Sequence, residues 1–564
     1  MTCLKGYETL TMPLIYLIAF VLGIFALGYT LNARFLTRHF ELDAHKKTPA
    51  CEVNDGIDYV PTSKWFLLSQ HFSAIAAAGP IVGPILAAVW FGWLPVMLWI
   101  VGGSIFFGAF HDFSALVGSV RHRSVSIVEM VKEFFGPRGH LLFMIFVWFS
   151  LVYVITAFTD LTSSSFVDPE LGGGVASSSI SYLFLGLLMG ICLNRFKMPL
   201  GLATLVFIPL VCLSIWFGRD FPVYAPSIPG FSQQQVWNFI LLGYCLVASV
   251  IPVSVLLQPR GYLGGFFLYG TIAAGIAGLL IGGEKIQFPA FTGWTSPGGM
   301  PLFPALFVTV ACGACSGFHG IVSTGTTSKQ IANERDCSAV GYGGMLLEGV
   351  VAILALSTVM ILNKGNALVS ASPDRIYAEG LSQFVGHLGV PVHFARAFVL
   401  LAFTTFIYDT LDVATRLARY ILQELTGWKG RWGRWMMTVL TLVIPCFCVT
   451  MQITDASGKV IPAWKTFWGV FGTSNQLLAA MTLLALAIWL AKIKKNWRLA
   501  AVPMVFLFVM TTWSFTRMIW VAAHSSRGLD LPAWIALSLL ILAVFLFTES
   551  LRFVFRPAAT RVPD

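Results

Sequence analysis

Ionisable residues inside apolar runs come first, because a charge held in lipid is costly and persists only with a partner or a task. In this chain they are His71, His111 with Asp112, His319, Glu348, Arg396, Asp409 and Asp412. Histidine changes charge near neutral pH, which suits proton coupling. His71 lies in QHFSAIAAAGPIVGPILAA (70–88), and His319 lies in CGACSGFHGIVSTGTTSK (312–329). Each proline of the first segment removes a helical donor, and unwound backbone at membrane depth must face protein or a water-filled cavity. The second segment threads Gly313, Gly317, Gly320 and Gly325 through hydroxyls at Ser316, Ser323, Thr324, Thr326 and Thr327.

The elements that position these groups follow from composition. The chain has 564 residues, 57% hydrophobic and 11% charged, with a mean hydropathy of +0.79, so it is an integral membrane protein. Fifteen apolar runs are long enough to predict spans: 12–31, 65–90, 94–119, 141–160, 178–193, 199–217, 236–257, 264–283, 302–326, 341–362, 392–412, 437–452, 465–491, 499–523 and 532–548. Residues 11–31, preceded by Glu8 and followed by Arg34 and Arg38, read as an uncleaved first span rather than a signal peptide.

Charge tests this parse. Alternate loops, counting Arg260 and the tail to Arg561, hold 26 Lys and Arg; the opposite loops hold 8, including Lys5, Lys459 and Arg527. Basic loops mark the cytoplasm, so the expected N-terminus is outside and the C-terminus inside. The formal net charge of +10 thereby finds its place in loops, with no nucleic-acid partner expected. Most of the ten cysteines sit in apolar runs, and Cys312-Gly-Ala-Cys315 reads as packing because no second pair accompanies it. Gly320 to Gly325 has phosphate-loop spacing, but Thr326 stands where that motif needs Lys. His111-Asp112 lacks a recognisable serine or cysteine nucleophile, which argues against hydrolysis.

Two interrupted spans stand five apart: 65–90, with Gly79-Pro80 and Gly83-Pro84, and 236–257, with Pro252 between Ser249 and Ser254. An odd offset inverts one unit relative to the other, the sequence sign of an inverted-repeat secondary transporter. Asp409, Asp412, Arg416 and Arg419 share one helical face and are expected to form an ion-paired helix end at the cytoplasmic interface. Asn475 and Gln476 lie outside the ten-helix core and are weak candidates.

QHFSAIAAAGPIVGPILAA, ACGACSGFHGIVSTGTTSKQ, DVATRLARYILQEL and WGVFGTSNQLLAA together resemble the signature segments of the carbon starvation protein A family, over residues 11 to 525. The resemblance implies a bacterial inner-membrane transporter of pyruvate or short peptides with a leucine-transporter-like fold. The expected protein is all-α and polytopic, with about 15 transmembrane helices and a 5+5 inverted repeat. Its parts are residues 1–64, a transport core 65–424 (repeats 65–217 and 236–424), and a C-terminal bundle 425–564. A carboxylate substrate needs donors, and the expected substrate residues are His71, Ser73, Gly79, Pro80, Gly83, Ser254, Ser316 and His319. Ion coupling falls to Asp112, Ser323, Thr324, Glu348 and Asp409, with the proton first and sodium second. No cofactor is expected; a structural metal and the oligomeric state stay open. The alternatives are a nutrient sensor and a membrane-embedded hydrolase.

Overall fold

A computed structural model describes residues 12–56, 58–428, 430–451, 453–454, 460–525 and 528–554. Lys5, Glu8, Lys429, Lys459, Arg527, Arg556 and Arg561, used in the charge count or the reading of the first span, lie outside the described residues. In lipid every backbone amide must be satisfied within its own segment, so apolar runs of this length become helices. The chain is a multi-pass membrane protein, and its regular structure among the described residues is helical apart from two short antiparallel strands, Ile453–Thr454 and Val460–Ile461.

In chain order the helices are α1 (Leu14–His39), α2 (Lys64–Ile75), α3 (Gly79–Phe91), α4 (Trp93–Arg121), α5 (Ile127–Phe166), α6 (Gly172–Asn194), α7 (Leu200–Gly218), α8 (Gln233–Ala248) and α9 (Leu257–Gly282). There follow α10 (Leu302–Thr309), α11 (Ala311–Ala314), α12 (Gly317–Val322), α13 (Ser338–Met360), α14 (Pro373–Gly386), α15 (Val392–Thr426), α16 (Arg431–Thr450), α17 (Ala463–Lys492), α18 (Arg498–Ala523) and α19 (Leu531–Val554).

Among the described residues twelve helices are long and apolar enough to cross a membrane, and the bent pair α2 and α3 makes a thirteenth. Length and hydropathy alone therefore do not reach the expected count of about 15. The two remaining runs are helical but fail for physical reasons: α8 has only 16 residues, and 302–326 is divided into α10, α11 and α12. The most buried spans are α13, α15 and α17, and the least buried are α1, α7 and α19.

The interruptions differ from expectation. Between α2 and α3 the axis bends by 45° at Ala76–Ala78. Pro80 sits in the first turn of α3, where no intrahelical donor is needed, and Pro84 lies inside α3 without breaking it. Pro252 is not at mid-span: it lies in the link 249–256 between α8 and α9. The second break is at Cys315–Ser316, two extended residues between α11 and α12.

Glycines let these two broken spans meet. A side chain on Gly79 would overlap Cys312, and one on Gly83 would overlap the Thr309 carbonyl, which cannot move aside. Gly83→Ala should therefore cost about 1–3 kcal/mol of stability. In α1, Gly23 has open space around it, so Gly23→Ala serves as a control. Thermal melting in detergent should separate the two, and equal midpoints would refute this contact.

Candidate functional site

The first buried group is a chain of alternating carboxylates and imidazoles. On α4, His111 Nδ1 lies 2.7 Å from Asp112 Oδ1. The other oxygen, Oδ2, is 2.9 Å from Nδ1 of His319 on α12. On the far side of that ring, Nε2 lies 3.1 Å from Glu348 Oε2 on α13, close but not aligned as a hydrogen bond. All four side chains are fully buried. No Lys or Arg pairs with this chain among the described residues. Both ends stay open, at His111 Nε2 and Glu348 Oε1. Close packing assembles them, because Gly320 on α12 leaves room for the His111 ring and Gly341 for the backbone at Asp112.

The second group lies beside the α2 break. Gln70, His71, Thr326, Thr327, Gly261 and Asp409 line a closed cleft with room for about one water molecule. His71 Nδ1 is 2.9 Å from Thr327 Oγ1, while His71 Nε2 and Gln70 Oε1 are buried without a hydrogen-bond partner. Such orphaned polar atoms mark a place where water or a ligand belongs. The Thr410 hydroxyl donates to the Ala74 carbonyl, tying α15 to the end of α2 at 3.1 Å.

Asp409 also belongs to an ion cluster that sequence reasoning missed. Arg260, counted as a loop base, lies in the first turn of α9 and is fully buried. Its guanidinium holds Asp409 Oδ1 at 2.7 Å and Asp412 Oδ2 at 2.5 Å. Ser73 bonds Asp409, and the Tyr244 hydroxyl donates to Asp412 at 2.8 Å. The expected ion-paired helix end is therefore corrected: both carboxylates reach across to α9. Arg416 turns instead to the Ala248 and Ile251 carbonyls at 3.0 and 2.5 Å, and Arg419 covers the Tyr420 ring. An unwound link must place its carbonyls somewhere, and Arg416 supplies the donors.

α17 performs the same service at the α12 break. Asn475 Oδ1 accepts from the Phe318 amide at 2.8 Å and from the Ser316 hydroxyl at 3.2 Å. Gln476 Nε2 donates to the Cys315 carbonyl at 2.8 Å. The polar pair in FGTSNQLL was thus a usable signal, since adjacent amides inside an apolar span need partners.

Of the remaining expected residues, His71 and Asp409 line the cleft, with Ser73 bonded to Asp409, and Asp112, His319 and Glu348 come together in the chain. Gly79, Pro80 and Gly83 pack the broken spans. Ser316 is held by Asn475, and the Thr324 hydroxyl is occupied by the Gly320 carbonyl and the Ile127 amide. The Ser323 hydroxyl is buried and unpartnered, in a π-helical turn over Ser323–Thr327. Ser254 lies apart in the 249–256 link, its carbonyl accepting from Asn194. Arg396 pairs with Glu379 at 2.6 Å, away from both groups. Among the described residues no three His, Cys, Asp or Glu are placed to share a metal ion.

A family model described as Carbon starvation protein CstA matches residues 14–376 and 363–514. The "Peptide transporter CstA" of Escherichia coli (strain K12) is 31% identical over 562 residues, 86% of this chain and 78% of that one. The "Pyruvate/proton symporter BtsT" of the same organism is 30% identical over 591 residues, 89% of this chain and 81% of that one. Among solved structures, a manganese transporter mutant of Eremococcus coleocola is 15% identical, covering 89% of this chain and 99% of that chain with a TM-score of 0.46. MhsT in complex with L-phenylalanine is 10% identical, with coverages of 87% and 99% and a TM-score of 0.49.

Proposed function

The chain belongs to the carbon starvation protein CstA family, and from that membership we propose a secondary transporter that imports short peptides or pyruvate with protons across the bacterial inner membrane. Two relatives carry names of that kind, peptide transporter and pyruvate/proton symporter. The observation that carries proton coupling is the chain His111–Asp112–His319–Glu348. With both carboxylates ionised and both imidazoles neutral it bears two negative charges in a fully buried place, and each bound proton removes one. Sodium suits it less. Hard cations take oxygen ligands, whereas here both Asp112 oxygens already face imidazole nitrogens. The cleft beside the α2 break is the proposed substrate site, closed in this conformation, with His71 and Gln70 as polar contacts.

The reading includes the 5+5 inverted repeat, with its second unit moved. Each unit opens on a broken span and has a long helix third: α2/α3, α4 and α5, whose Ile127–Phe166 course is kinked at Gly136, and then α10–α12, α13 and the 35-residue α15. Counting α8 and the divided run 302–326 as crossings, as the charge alternation does, the two breaks are seven crossings apart, still an odd number, so the units run in opposite directions. On this reading α8 and α9 are inserted between the units, and the core extends through α17, beyond the expected limit at 424. The basic loops support an outside N-terminus and an inside C-terminus.

Uptake of labelled Ala-Phe and pyruvate into proteoliposomes tests the function. An inward proton gradient should drive accumulation above equilibrium, and a sodium gradient alone should not. Accumulation driven by sodium alone would overturn proton coupling, and saturable binding without accumulation would leave a sensor.

A further inference from the structure

A polar hollow lies away from the central cleft, where the ends of α6, α7 and α15 meet. Its volume is about 340 Å³, within the range of small-molecule pockets, whereas the central cleft admits about one water. Four ionisable side chains line it: Glu170, Arg219, Asp220 and His393. None of the four joins an ion pair within 4.0 Å among the described residues, although they bring both signs of charge to one hollow. Opposite charges gathered around a space without closing on each other leave room for a ligand that bears both signs.

The rest of the hollow fits the same ligand. Gly173 and Gly174, in the first turn of α6, contribute to the wall, and amides in a helical first turn have no carbonyl partner within their own helix. The Val223 amide donates to the Gly173 carbonyl at 3.0 Å, which fixes the segment after α7 against α6. Trp216 and Phe394 form an aromatic patch with ring centres 5.3 Å apart. Phe394 lies on α15, the helix that carries Asp409 and Asp412, so this hollow and the central cleft share a rigid element.

We propose that this hollow is an outer capture site for zwitterionic short peptides. The peptide carboxylate meets Arg219 and His393, its ammonium group meets Glu170 and Asp220, and an apolar side chain rests on Trp216 and Phe394. Pyruvate, which lacks an ammonium group, is not read here by the acidic pair. The proposal rests on the transporter reading and on the orientation that places these base-poor ends outside.

The test uses full-length protein, Ala-Phe and pyruvate. In proteoliposomes Arg219→Gln and Glu170→Gln should each raise the KM for Ala-Phe about tenfold, the loss of about one charge-assisted contact, with Vmax recovered at saturating peptide. Glu170→Gln should leave the KM for pyruvate within twofold of wild type. Unchanged KM for Ala-Phe in both variants would overturn the site, as would an equal rise for pyruvate in Glu170→Gln. A phosphatidylethanolamine molecule retained by the wild type in native mass spectrometry and lost in Arg219→Gln, with peptide KM unchanged, would make the hollow a lipid headgroup site instead. Failure of the transporter reading looks different: no accumulation by the wild type under any gradient. Calorimetry in detergent then still decides the capture site, because N-acetylated or C-amidated Ala-Phe must bind at least about tenfold more weakly than free Ala-Phe, and equal binding refutes it.

Discussion

Glu348→Gln should abolish proton-driven accumulation, lowering the gradient-dependent uptake rate by about a hundredfold, at the lower end of what a positioned proton-transfer group contributes. Gln has nearly the shape of Glu and still offers an acceptor to His319 Nε2, 3.1 Å away in the native protein. What it cannot do is take up and release a proton. The alternating chain then ends at His319, and the open end at Glu348 Oε1 no longer exists. Exchange of labelled substrate between the two sides without a gradient needs no net proton movement, so it should continue. The substitution also removes an ionisable group from a fully buried place, so the melting midpoint should not fall. A Glu348→Gln protein that concentrates substrate as the wild type does would refute the role of this chain in coupling.

Arg260→Met should be the most destabilising single change. The guanidinium is fully buried and holds Asp409 and Asp412 together. Removing it leaves two buried carboxylates without their compensating charge, a cost of about 3–5 kcal/mol. Met has comparable length and fills most of the volume, so the loss is one of charge compensation rather than packing. The triple variant Arg260→Met with Asp409→Asn and Asp412→Asn should therefore regain much of the lost stability. Fluorescence-detected size-exclusion after heating reads both proteins without purification. If Arg260→Met melts with the wild type, or if the two Asn substitutions fail to restore it, the cluster is not held by charge balance.

Much of the site was legible in the sequence, for one physical reason. A titratable group in an apolar run is expensive, so its presence alone singles it out. That logic picked His71, Asp112, His319, Glu348 and Asp409. It failed for Arg260, which follows Pro259 near the start of an apolar run and so read as the end of a loop. Pro259 is instead in the first turn of α9, where proline is tolerated, and the helix carries Arg260 inward. Proline misled again at Pro84 and Pro252, since it shows where a donor is missing but not whether the backbone yields there. Asn475 and Gln476 were undervalued because a supposed core boundary outweighed their own chemistry.

The membrane class, the positions of the apolar spans and the family follow from the chain alone, because hydropathy over some twenty residues and local motifs are properties of contiguous sequence. Which titratable groups meet is settled at the tertiary level. Asp112 and His319 are 207 positions apart, and Arg260 and Asp409 are 149. Their partnerships depend on how broken helices cross, which glycines allow a close approach, and which donor reaches a freed carbonyl first. No local pattern encodes those distances, since each is set by the packing of several helices at once.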